Sequence, residues 1–442
     1  MTSVPNDIKK LEDIEKNNDV ISTFKYNDTT AWIYLKNVLT VSMYSKEIRI
    51  ENGNKKDLFS FNGFKCIFKS IKNYFLYISS SSKKSIFLGA STGLFKDNKK
   101  ILDSYFPYYD LDIKNTIYML NCSNLHLLQN YDDYMNNNKI VIENYIVGIV
   151  KKLFSKIILI LLSKKKKKEI ENFNKTLQKC SINVSTKVLL SKYCEFIAGY
   201  KFYRLFFKYL NIDTAYIVSA PTKSDMVAAL KSLNIKTVEI QHGIVGRLHR
   251  GYNFNFKQND ILPTVNFINV YNKFWKDEII NAKYFTEKQI NIVGRLKYDI
   301  VQSDIKELNF KYIIFTGQGA FFNQIIIFFN NADKLLTENN IKMFYKTHPR
   351  ELESEVHYLK NSFNRLESCE VYNGNSTTEE LIKNSLAHVS VFSSCHFDAI
   401  YYKNKTYTLD IMENNIMEYY NKRNKDSFIM IDSIENILEK EL

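Results

Sequence analysis

Two histidines of the sequence stand in short motifs whose residue types suit proton transfer and phosphate binding. The first, His242, follows the apolar stretch TVEIQ and precedes Gly243. A neutral imidazole near pH 7 can accept a proton from a hydroxyl group, and the following glycine lets a ligand approach the backbone. Glu239 precedes His242 by three positions, on the opposite face of a strand. The pattern therefore leaves open whether His242 or Glu239 is the base, or whether His242 is a structural residue.

The second histidine, His348, lies in the segment KTHPR at residues 346–350. Lys346, His348 and Arg350 place three groups that can carry positive charge within five residues, which suits a diphosphate. Pro349 fixes the turn. The alternative is an exposed basic turn, which leaves unexplained why the cluster follows a predicted strand.

Two further segments could bind an anion. Ser393 and Ser394 lie between a predicted strand and a helix, where free backbone N–H groups attract phosphate, although simple helix capping is the alternative. The basic run from Gly246 to Tyr252 could cover a phosphate or an anionic acceptor, or be a surface loop. We interpret this run as flexible.

These motifs follow the strands of two α/β series. The first series has predicted strands at 215–220, 237–241, 267–272 and 289–294, with a helix at 221–234, and the second has strands at 311–317, 342–349, 369–374, 388–394 and, last, 407–411. Earlier short strands are predicted at 32–35, 85–90 and 115–120, whereas the type of 139–150 is left open. Such alternation implies parallel sheets with helices on their faces, joined near residues 295–310. Ligands bind beyond the carboxyl ends of such strands.

Composition limits the class of protein. The 442 residues suit two domains, and 45% hydrophobic with 24% charged residues indicates a globular chain. The net charge of +14 raises the question of nucleic acid, but no zinc-finger spacing, RNA-recognition signature or helix-turn-helix pattern is present, so no nucleic-acid partner is expected. The six cysteines form no CxxC pair, which argues against zinc and favours reduced thiols in the cytoplasm.

The amino terminus is polar and is expected to be a helix or loose tail rather than a secretory signal. No stretch approaches the roughly 18–20 apolar residues of a membrane-spanning helix. The apolar stretch 157–162 is followed by five lysines, Lys164–Lys168. This segment is either an interfacial patch that rests on the anionic inner face of a membrane or a solvated loop beside a core helix. The expected location is therefore cytoplasmic, with peripheral attachment to the membrane left open.

Several other chemistries lack their motifs. The sequence has no GxSxG, HExxH or GxxxxGK[ST] segment, and the glycines of Gly317-Gln318-Gly319 lack the third glycine of a dinucleotide fingerprint. Asp110 and Asp112 have the spacing of a metal-binding DxD motif but lie away from the second α/β series. We therefore expect no metal and no cofactor.

The combination of EIQHG, a basic loop, KTHPR and paired serines at a strand end resembles bacterial surface-polysaccharide glycosyltransferases of the GT-B fold. It is similar to capsule Kdo transferases, polysialyltransferases and the CDP-glycerol glycerophosphotransferases of teichoic acid synthesis. The resemblance covers residues 215–411, with a weaker match near 84–110. The chain lacks the acidic D/E-D/E-G motif of several sialyltransferases, which argues against a sialic acid donor.

The resemblance implies an α/β GT-B fold: two Rossmann-like domains with parallel sheets that face a central cleft. Residues 1–300 would form the acceptor-side domain and residues 301–442 the domain that binds a nucleotide sugar. The implied activity is metal-independent transfer of a sugar to a growing capsule or O-antigen glycan, on a lipid-linked or oligosaccharide acceptor. The alternatives are a CDP-glycerol-type phosphotransferase, and a GT-B-like epimerase or noncatalytic sugar-binding protein.

The resemblance maps His242, His348, Ser393 and Ser394 onto residues of the family's motifs. Together with the residues that follow the predicted strands, this gives a predicted catalytic set of His242, Glu239 and His348. The expected donor contacts are Lys346, Arg350, Ser393, Ser394, Gly317, Gln318 and Arg295. The expected acceptor contacts are Gln241, Gly243, Arg247 and Arg250.

Overall fold

The protein consists of two compact α/β units. A computed structural model describes residues 6–44, 84–89, 94–97, 100–103, 116–120, 140–143, 145–256, 260–294, 310–348, 351–374, 376–411, 416–423 and 428–442, together with residues 68, 71, 72, 74, 75, 78 and 105. The described residues between Asp7 and Tyr298 form the first unit, and those between Asp299 and Leu442 form the second. The domain boundary predicted at 300/301 lies outside the described residues and stays a prediction.

The first unit begins with helices and continues into a parallel sheet. Its helices are α1 (Asn6–Asn17), α2 (Val20–Thr23), α3 (Trp32–Tyr44), α4 (Tyr145–Leu161), α5 (Lys164–Lys179), α6 (Thr186–Lys208), α7 (Ser224–Ser232) and α8 (Lys273–Asn281). Two antiparallel pairs lie outside the main sheet, β1 (Lys25–Tyr26) with β2 (Thr29–Thr30) and β4 (Leu94–Asp97) with β5 (Lys100–Asp103). Short 3₁₀ turns occupy Ala220–Lys223 and Glu287–Gln289.

The main sheet of the first unit has seven parallel strands. They are β3 (Lys84–Leu88), β6 (Thr116–Leu120), β7 (Ile140–Glu143), β8 (Ile212–Val218), β9 (Lys236–Ile240), β10 (Phe267–Val270) and β11 (Ile290–Ile292), in the order β11-β10-β9-β8-β3-β6-β7. Counted along the chain, this is the 3-2-1-4-5-6 order of a Rossmann fold with one further strand. The direction of winding reverses between β3 and β8, which makes this pair the topological switch point.

The second unit has the six-stranded Rossmann order. Its strands are β12 (Lys311–Thr316), β13 (Ile341–Lys346), β14 (Cys369–Val371), β15 (Ala387–Ser390), β16 (Thr406–Leu409) and β17 (Phe428–Ile431), all parallel, in the order β14-β13-β12-β15-β16-β17. The helices are α9 (Phe322–Glu338), α10 (Glu353–Phe363), α11 (Thr378–Asn384), α12 (Cys395–Tyr401), α13 (Ile416–Arg423) and α14 (Glu435–Glu441). The switch point lies between β12 and β15.

The core of the second unit lies between its sheet and the α9–α10 face. Phe315 on β12 and Tyr345 on β13 stack with ring centroids 5.7 Å apart. Phe329 of α9 stacks on Phe363 of α10 at 4.5 Å. All four rings are buried, and burial of large aromatic side chains supplies much of the stabilisation of such a core. The carboxyl edge of the sheet therefore rests on a rigid interior.

The predicted α/β fold with two Rossmann-like units is confirmed by the strand order. The part of the prediction that concerns a cleft between them stays a prediction. All strands predicted from residue 215 onward are present, and Thr377 with Glu380 forms a capping box at the start of α11. No helix in the part of the chain that the structure describes is long and apolar enough to cross a membrane.

Two expectations about elements are wrong. Residues 32–35 begin helix α3 rather than a strand, because Trp32, Leu35, Lys36 and Leu39 recur at helical spacing and are all buried. Of the two alternatives for the amino-terminal segment, the helix is confirmed over residues 6–17, where α1 buries an apolar stripe. The strand at 407–411 is not the last one, because the four-residue run FIMI forms β17 after it.

Candidate functional site

The predicted residues of the first unit lie at the carboxyl edge of its sheet. Gln241 and His242 directly follow β9, and Ser219 directly follows the neighbouring strand β8 at the switch point. Ser219 has a φ of 59°, in the left-handed region. Such a conformation is costly for a residue other than glycine and concentrates at functional sites. The chain turns there into the 3₁₀ turn Ala220–Lys223.

Glu239 is a buried carboxyl group that joins the two loops at this edge. Its Oε1 accepts a hydrogen bond from the backbone N–H of Ala220, at 2.9 Å, and another from the hydroxyl of Tyr252. Burial raises the pKa of Glu239 to about 7, against the opposing influence of these two bonds and of the Lys223 charge. Glu239 therefore holds the loop after β8 to the loop after β9. These bonds support a positioning role for Glu239, whose predicted catalytic role stays a prediction.

His242 lies half-buried at the same edge. Its backbone carbonyl accepts a hydrogen bond from the hydroxyl of Tyr105, at 3.1 Å. Its ring lies close enough to His249 for the charge of one to oppose protonation of the other. This hydrogen bond fixes the backbone of His242, and part of the residue's surface stays accessible.

His249 belongs to this site although the sequence analysis did not single it out. Its Nδ1 accepts a hydrogen bond from the N–H of Gly251, at 3.1 Å, and its ring lies 4.8 Å from that of Tyr252. Burial first, and then the charges of His242, Arg250 and Lys36, lower the pKa of His249 to about 3. It is therefore neutral near pH 7, with the proton on Nε2. The signal in the sequence that could have indicated His249 is its spacing from His242, H-x6-H.

The basic loop from Gly246 to Tyr252 is packed rather than flexible, which corrects the sequence-based interpretation. Gly246 has a φ of 108°, and a Cβ there would lie 2.7 Å from the Cβ of Glu278. A Cβ on Gly251 would lie 2.5 Å from the Cβ of Pro221, in the turn after β8. Only glycine fits either position without rearrangement. The two glycines let the loop close onto α8 and onto the switch point.

The four predicted acceptor contacts differ in their surroundings. Gln241 is fully buried, and its amide donates to the carbonyl of Gly243 and accepts from the N–H of Tyr271, each at 2.9 Å. This amide serves to position the loop. Arg247 and Arg250 are half-buried on the packed loop. Acceptor binding by Gln241, Gly243, Arg247 and Arg250 stays a prediction.

A buried ion pair from the amino-terminal helices supports the end of this loop. The Nζ of Lys36 lies 2.7 Å from the Oε1 of Glu15 and donates to the carbonyl of Asn253, at 2.5 Å. The Oε2 of Glu15 accepts from the N–H of Asn255, at 2.8 Å. Lys36 and Asn253 are 217 positions apart in the chain. No local pattern in the sequence indicates this contact.

In the second unit, a buried carboxyl group organises the glycine loop after β12. The Oε1 of Glu351 accepts from the N–H of Gly319, at 3.1 Å, and from the hydroxyl of Tyr345, at 2.8 Å. A Cβ on Gly317 would collide with the same carboxyl and with Tyr345. Burial raises the pKa of Glu351. Glu351 was not predicted as a site residue, because an acidic residue after KTHPR is typical of a surface turn.

Helix α9 begins directly after this loop with its backbone N–H groups uncapped by a side chain. Phe321, at its N-cap, has a φ of 61° and carries no group that could accept a hydrogen bond. The first N–H groups of a helix lack partners within it and carry partial positive charge. Gly317 and Gln318 lead the chain to this position, at the switch point between β12 and β15. The arrangement suits a phosphate group.

The segment KTHPR is only partly described. Lys346 ends β13, and its Nζ donates to the carbonyl of Ser376, at 3.0 Å, and lies 4.8 Å from the ring centre of Tyr372. Burial lowers the pKa of Lys346. The amine is thus directed to the β14 side of β13, whereas β12 lies on the other side. His348 is half-buried beyond the strand.

Two predicted donor contacts, Arg295 and Arg350, lie outside the described residues, as do Asp110 and Asp112 of the DxD motif. Among the residues that are described, no group of three or more His, Cys, Asp or Glu side chains could hold a metal ion. The expectation of a metal-independent reaction stays a prediction.

The two predicted serines have different surroundings. Ser393 is buried, and its hydroxyl accepts from the N–H of Cys395, at 3.1 Å. Ser394 is exposed at the N-cap of α12. The capping alternative fits Ser393, and Ser394 is the more accessible of the two.

A buried histidine network lies beneath this edge. The two ring nitrogens of His388 contact the hydroxyls of Thr316, at 2.9 Å, and Thr406, at 2.7 Å. The Nδ1 of His396 contacts the same Thr406 hydroxyl at 2.6 Å. A hydroxyl carries a single hydrogen, so at least one of the two rings donates its Nδ1–H to Thr406. Burial lowers the pKa of His396 to about 3 and that of His388 well below its usual range.

Comparisons with known proteins found several similar solved structures. The sequence matches no known family and no curated protein. UDP-GlcNAc 2-epimerase from Neisseria meningitidis, bound to UDP-GlcNAc, is similar at 10% identity and a TM-score of 0.47, covering 81% of this chain and 90% of that one. UDP-N-acetylglucosamine 2-epimerase from Rickettsia bellii has 13% identity, a TM-score of 0.45 and coverage of 81% and 86%. The glycotransferase of kitacinnamycin has 10% identity, a TM-score of 0.44 and coverage of 80% and 87%. The fold assignment rests on the strand order described above.

Proposed function

We propose that the protein is a glycosyltransferase that moves a sugar from a nucleotide-activated donor to a growing capsule or O-antigen glycan. The observation that carries the proposal is where the candidate catalytic and binding motifs lie in the fold. In both Rossmann-order sheets, the motifs that suggested transfer chemistry follow strands at the carboxyl edge, beside a switch point.

We assign donor binding to the second unit. The uncapped start of α9 and the loop that Glu351 organises can receive the diphosphate of a nucleotide sugar through backbone N–H groups. His348 and Ser394 follow β13 and β15, the two strands that flank β12, and can add side-chain contacts. These hydrogen-bonding groups stabilise the negative charge that develops on the leaving diphosphate. A metal ion performs this task in other enzymes.

We assign the base and the acceptor to the first unit. His242 accepts the proton of the acceptor hydroxyl as its oxygen attacks the anomeric carbon, and the bond from that carbon to the diphosphate breaks. Because the neighbouring His249 is neutral, protonation of His242 places only one positive charge on the two rings. Arg247 and Arg250 suit an anionic acceptor such as a lipid-linked phosphate. Glu239 and Gln241 keep the loop in place.

A nucleotide panel tests the donor half. UDP, GDP, CMP and CDP are added separately and the melting temperature is measured, because a ligand that binds the native state at 100 times its Kd stabilises it by about 2.7 kcal/mol. One nucleotide is expected to raise the melting temperature by several degrees, and sugars activated with it are then supplied with a lipid-linked acceptor. Consumption of CDP-glycerol in place of any sugar donor, or no response to any nucleotide, contradicts the proposal.

A glycine variant shows whether that nucleotide binds where proposed. Gly319 has a φ of 67° beside the start of α9, and Gly319→Ala strains the loop without filling the core. We expect the variant to lose most of the nucleotide-induced shift, measured against its own nucleotide-free melting temperature. An undiminished shift would remove this loop from the donor site.

A further inference from the structure

Helix α4 carries an apolar stripe that faces away from the protein. Five large side chains, Leu153, Phe154, Ile157, Ile160 and Leu161, are between 52% and 78% exposed. At about 100° per residue they fall within an arc of about 120° on the helix surface. The opposite side of α4 packs against α6, where Lys151 forms a partly buried ion pair with Asp225 of α7. The exposed stripe is therefore a feature of a helix that is fixed in the fold.

Several exposed lysines lie close to this stripe along the chain. Lys152 and Lys156 are exposed on α4, and the exposed Lys164, Lys165 and Lys168 follow three to seven residues after its end. The chain has eight lysines and no acidic residue from Tyr145 to Lys168. The stripe with its five exposed lysines is called the α4–α5 face below.

The lysine block is held in a fixed position. It opens helix α5, whose N-cap Ser163 accepts from the N–H of Lys166. The Nζ of Lys166 donates to the carbonyl of Thr23, at 3.1 Å, and Phe173 of the same helix packs edge-on against Phe24, at 5.0 Å. The block is thus a helix start rather than the solvated loop of the alternative interpretation, and the apolar residues beside it are exposed rather than part of a core.

We propose that the α4–α5 face docks the protein on the surface of an anionic phospholipid bilayer. An apolar stripe bordered by lysines is the pattern of helices that lie in the interface, with apolar side chains between the acyl chains and lysines among the headgroups. At 17 residues, α4 is shorter than the roughly 20 residues of a spanning helix, so it lies along the surface.

The charge of the face decides among possible occupants. A second copy of the chain would bring the same cluster of lysines against the first without an acidic partner, which is unfavourable. An anionic bilayer attracts every one of these lysines at once. Docking there would bring the first unit to the membrane without requiring any nucleotide or acceptor, so this proposal can fail independently of the proposed function.

Vesicle co-sedimentation of the full chain tests the proposal. Wild type is measured with phosphatidylcholine vesicles and with vesicles that also carry phosphatidylglycerol, at low and high salt. We expect binding to the anionic vesicles only, weakened by salt. The double variant Lys164→Gln/Lys165→Gln should bind roughly 30-fold more weakly, since each lysine near an anionic surface contributes about fivefold. Phe154→Gln/Leu161→Gln should lose at least about tenfold.

Matched controls separate this face from general charge and hydrophobicity. Lys175→Gln/Lys179→Gln removes two exposed lysines from the same helix α5, and Ile327→Gln removes an exposed apolar residue from α9. Both controls should bind like wild type, and all variants should keep the wild-type melting temperature. Absence of binding to anionic vesicles overturns the proposal, as do equal losses in the α4–α5 variants and controls. A dimer that Phe154→Gln/Leu161→Gln dissociates, without vesicle binding, would assign the face to self-association instead.

Discussion

The buried pair His388 and His396 predicts that the second unit loses stability in mild acid. Both rings are fully buried, and burial holds the pKa of His396 at about 3 and that of His388 well below its usual range. In the unfolded chain each histidine titrates near 6.5. Between these values the unfolded state binds protons that the native state does not, so stability falls as pH falls from about 6.5 to about 3. At pH 5 the loss is about 2 kcal/mol for each ring, or about 4 kcal/mol for the pair.

Unfolding in urea at several pH values measures this loss. Both tryptophans, Trp32 and Trp275, lie in the first unit, so their fluorescence reports that unit alone. Hydrogen exchange of peptides spanning β15 and β16 reports the second unit, because these strands carry His388 and pair with each other. We expect their protection to fall by about 1.4 kcal/mol per pH unit for each histidine below pH 6.

Two variants separate the network from surface titration. His396→Asn keeps a polar group near the position of Nδ1 but no longer titrates, so the slope of stability against pH should halve. His357→Gln removes an exposed histidine of α10 and should leave the slope unchanged. A flat profile between pH 7 and pH 5, or the wild-type slope in His396→Asn, would refute the reasoning.

The remaining predictions concern the loop after β9. Glu239→Gln should keep sugar transfer within about fivefold of wild type, because the amide oxygen can accept the same two bonds, whereas a loss of about 100-fold or more would make Glu239 the base. Burial raises the pKa of Glu239 to about 7, so the native carboxyl keeps its proton at pH values where the unfolded carboxyl has lost it. Wild-type stability should therefore fall between about pH 4.5 and pH 7. Glu239→Gln should remove this decline when stability is measured by chemical unfolding. Gly246→Ala should lower stability by about 2 kcal/mol through the positive φ and the contact with Glu278, and an unchanged melting temperature would contradict the packed loop. Lys36→Met should cost about 3 kcal/mol because Glu15 keeps a buried charge without its ion partner, and a neutral effect in denaturant unfolding followed by tryptophan fluorescence would show that the pair is dispensable.

Much of the fold could be predicted because the α/β alternation is strong from residue 215 onward. There the strands are apolar runs bounded by glycine, proline or capping residues, and a buried parallel strand has this pattern. The prediction failed at residues 32–35, because a four-residue apolar run does not distinguish a strand from the first turn of a buried helix. The strand order itself came only from the structure, since pairing between β3 and β8 joins segments more than a hundred residues apart.

The residues of the candidate site that belong to short sequence motifs could be predicted. Residues whose role depends on contacts with distant parts of the chain could not. His242 and the glycines of the loop after β12 follow strands, so their position was accessible from the pattern. His249, Glu351 and Lys36 were not, because their importance depends on burial and on partners from other elements. Ser393 and Gln241 were predicted to contact ligands. Both are buried, and their polar groups form hydrogen bonds with the backbone instead.

The rate of sugar transfer by His242→Gln, relative to wild type, tests the central claim most directly. It is measured with the donor that the nucleotide panel identifies and with a saturating acceptor. Loss of a general base at the first unit's edge predicts a fall of about 100-fold or more, with the nucleotide-induced rise in melting temperature preserved. Transfer within about threefold of wild type would contradict the assignment of His242 as the base and, with it, this account of the site.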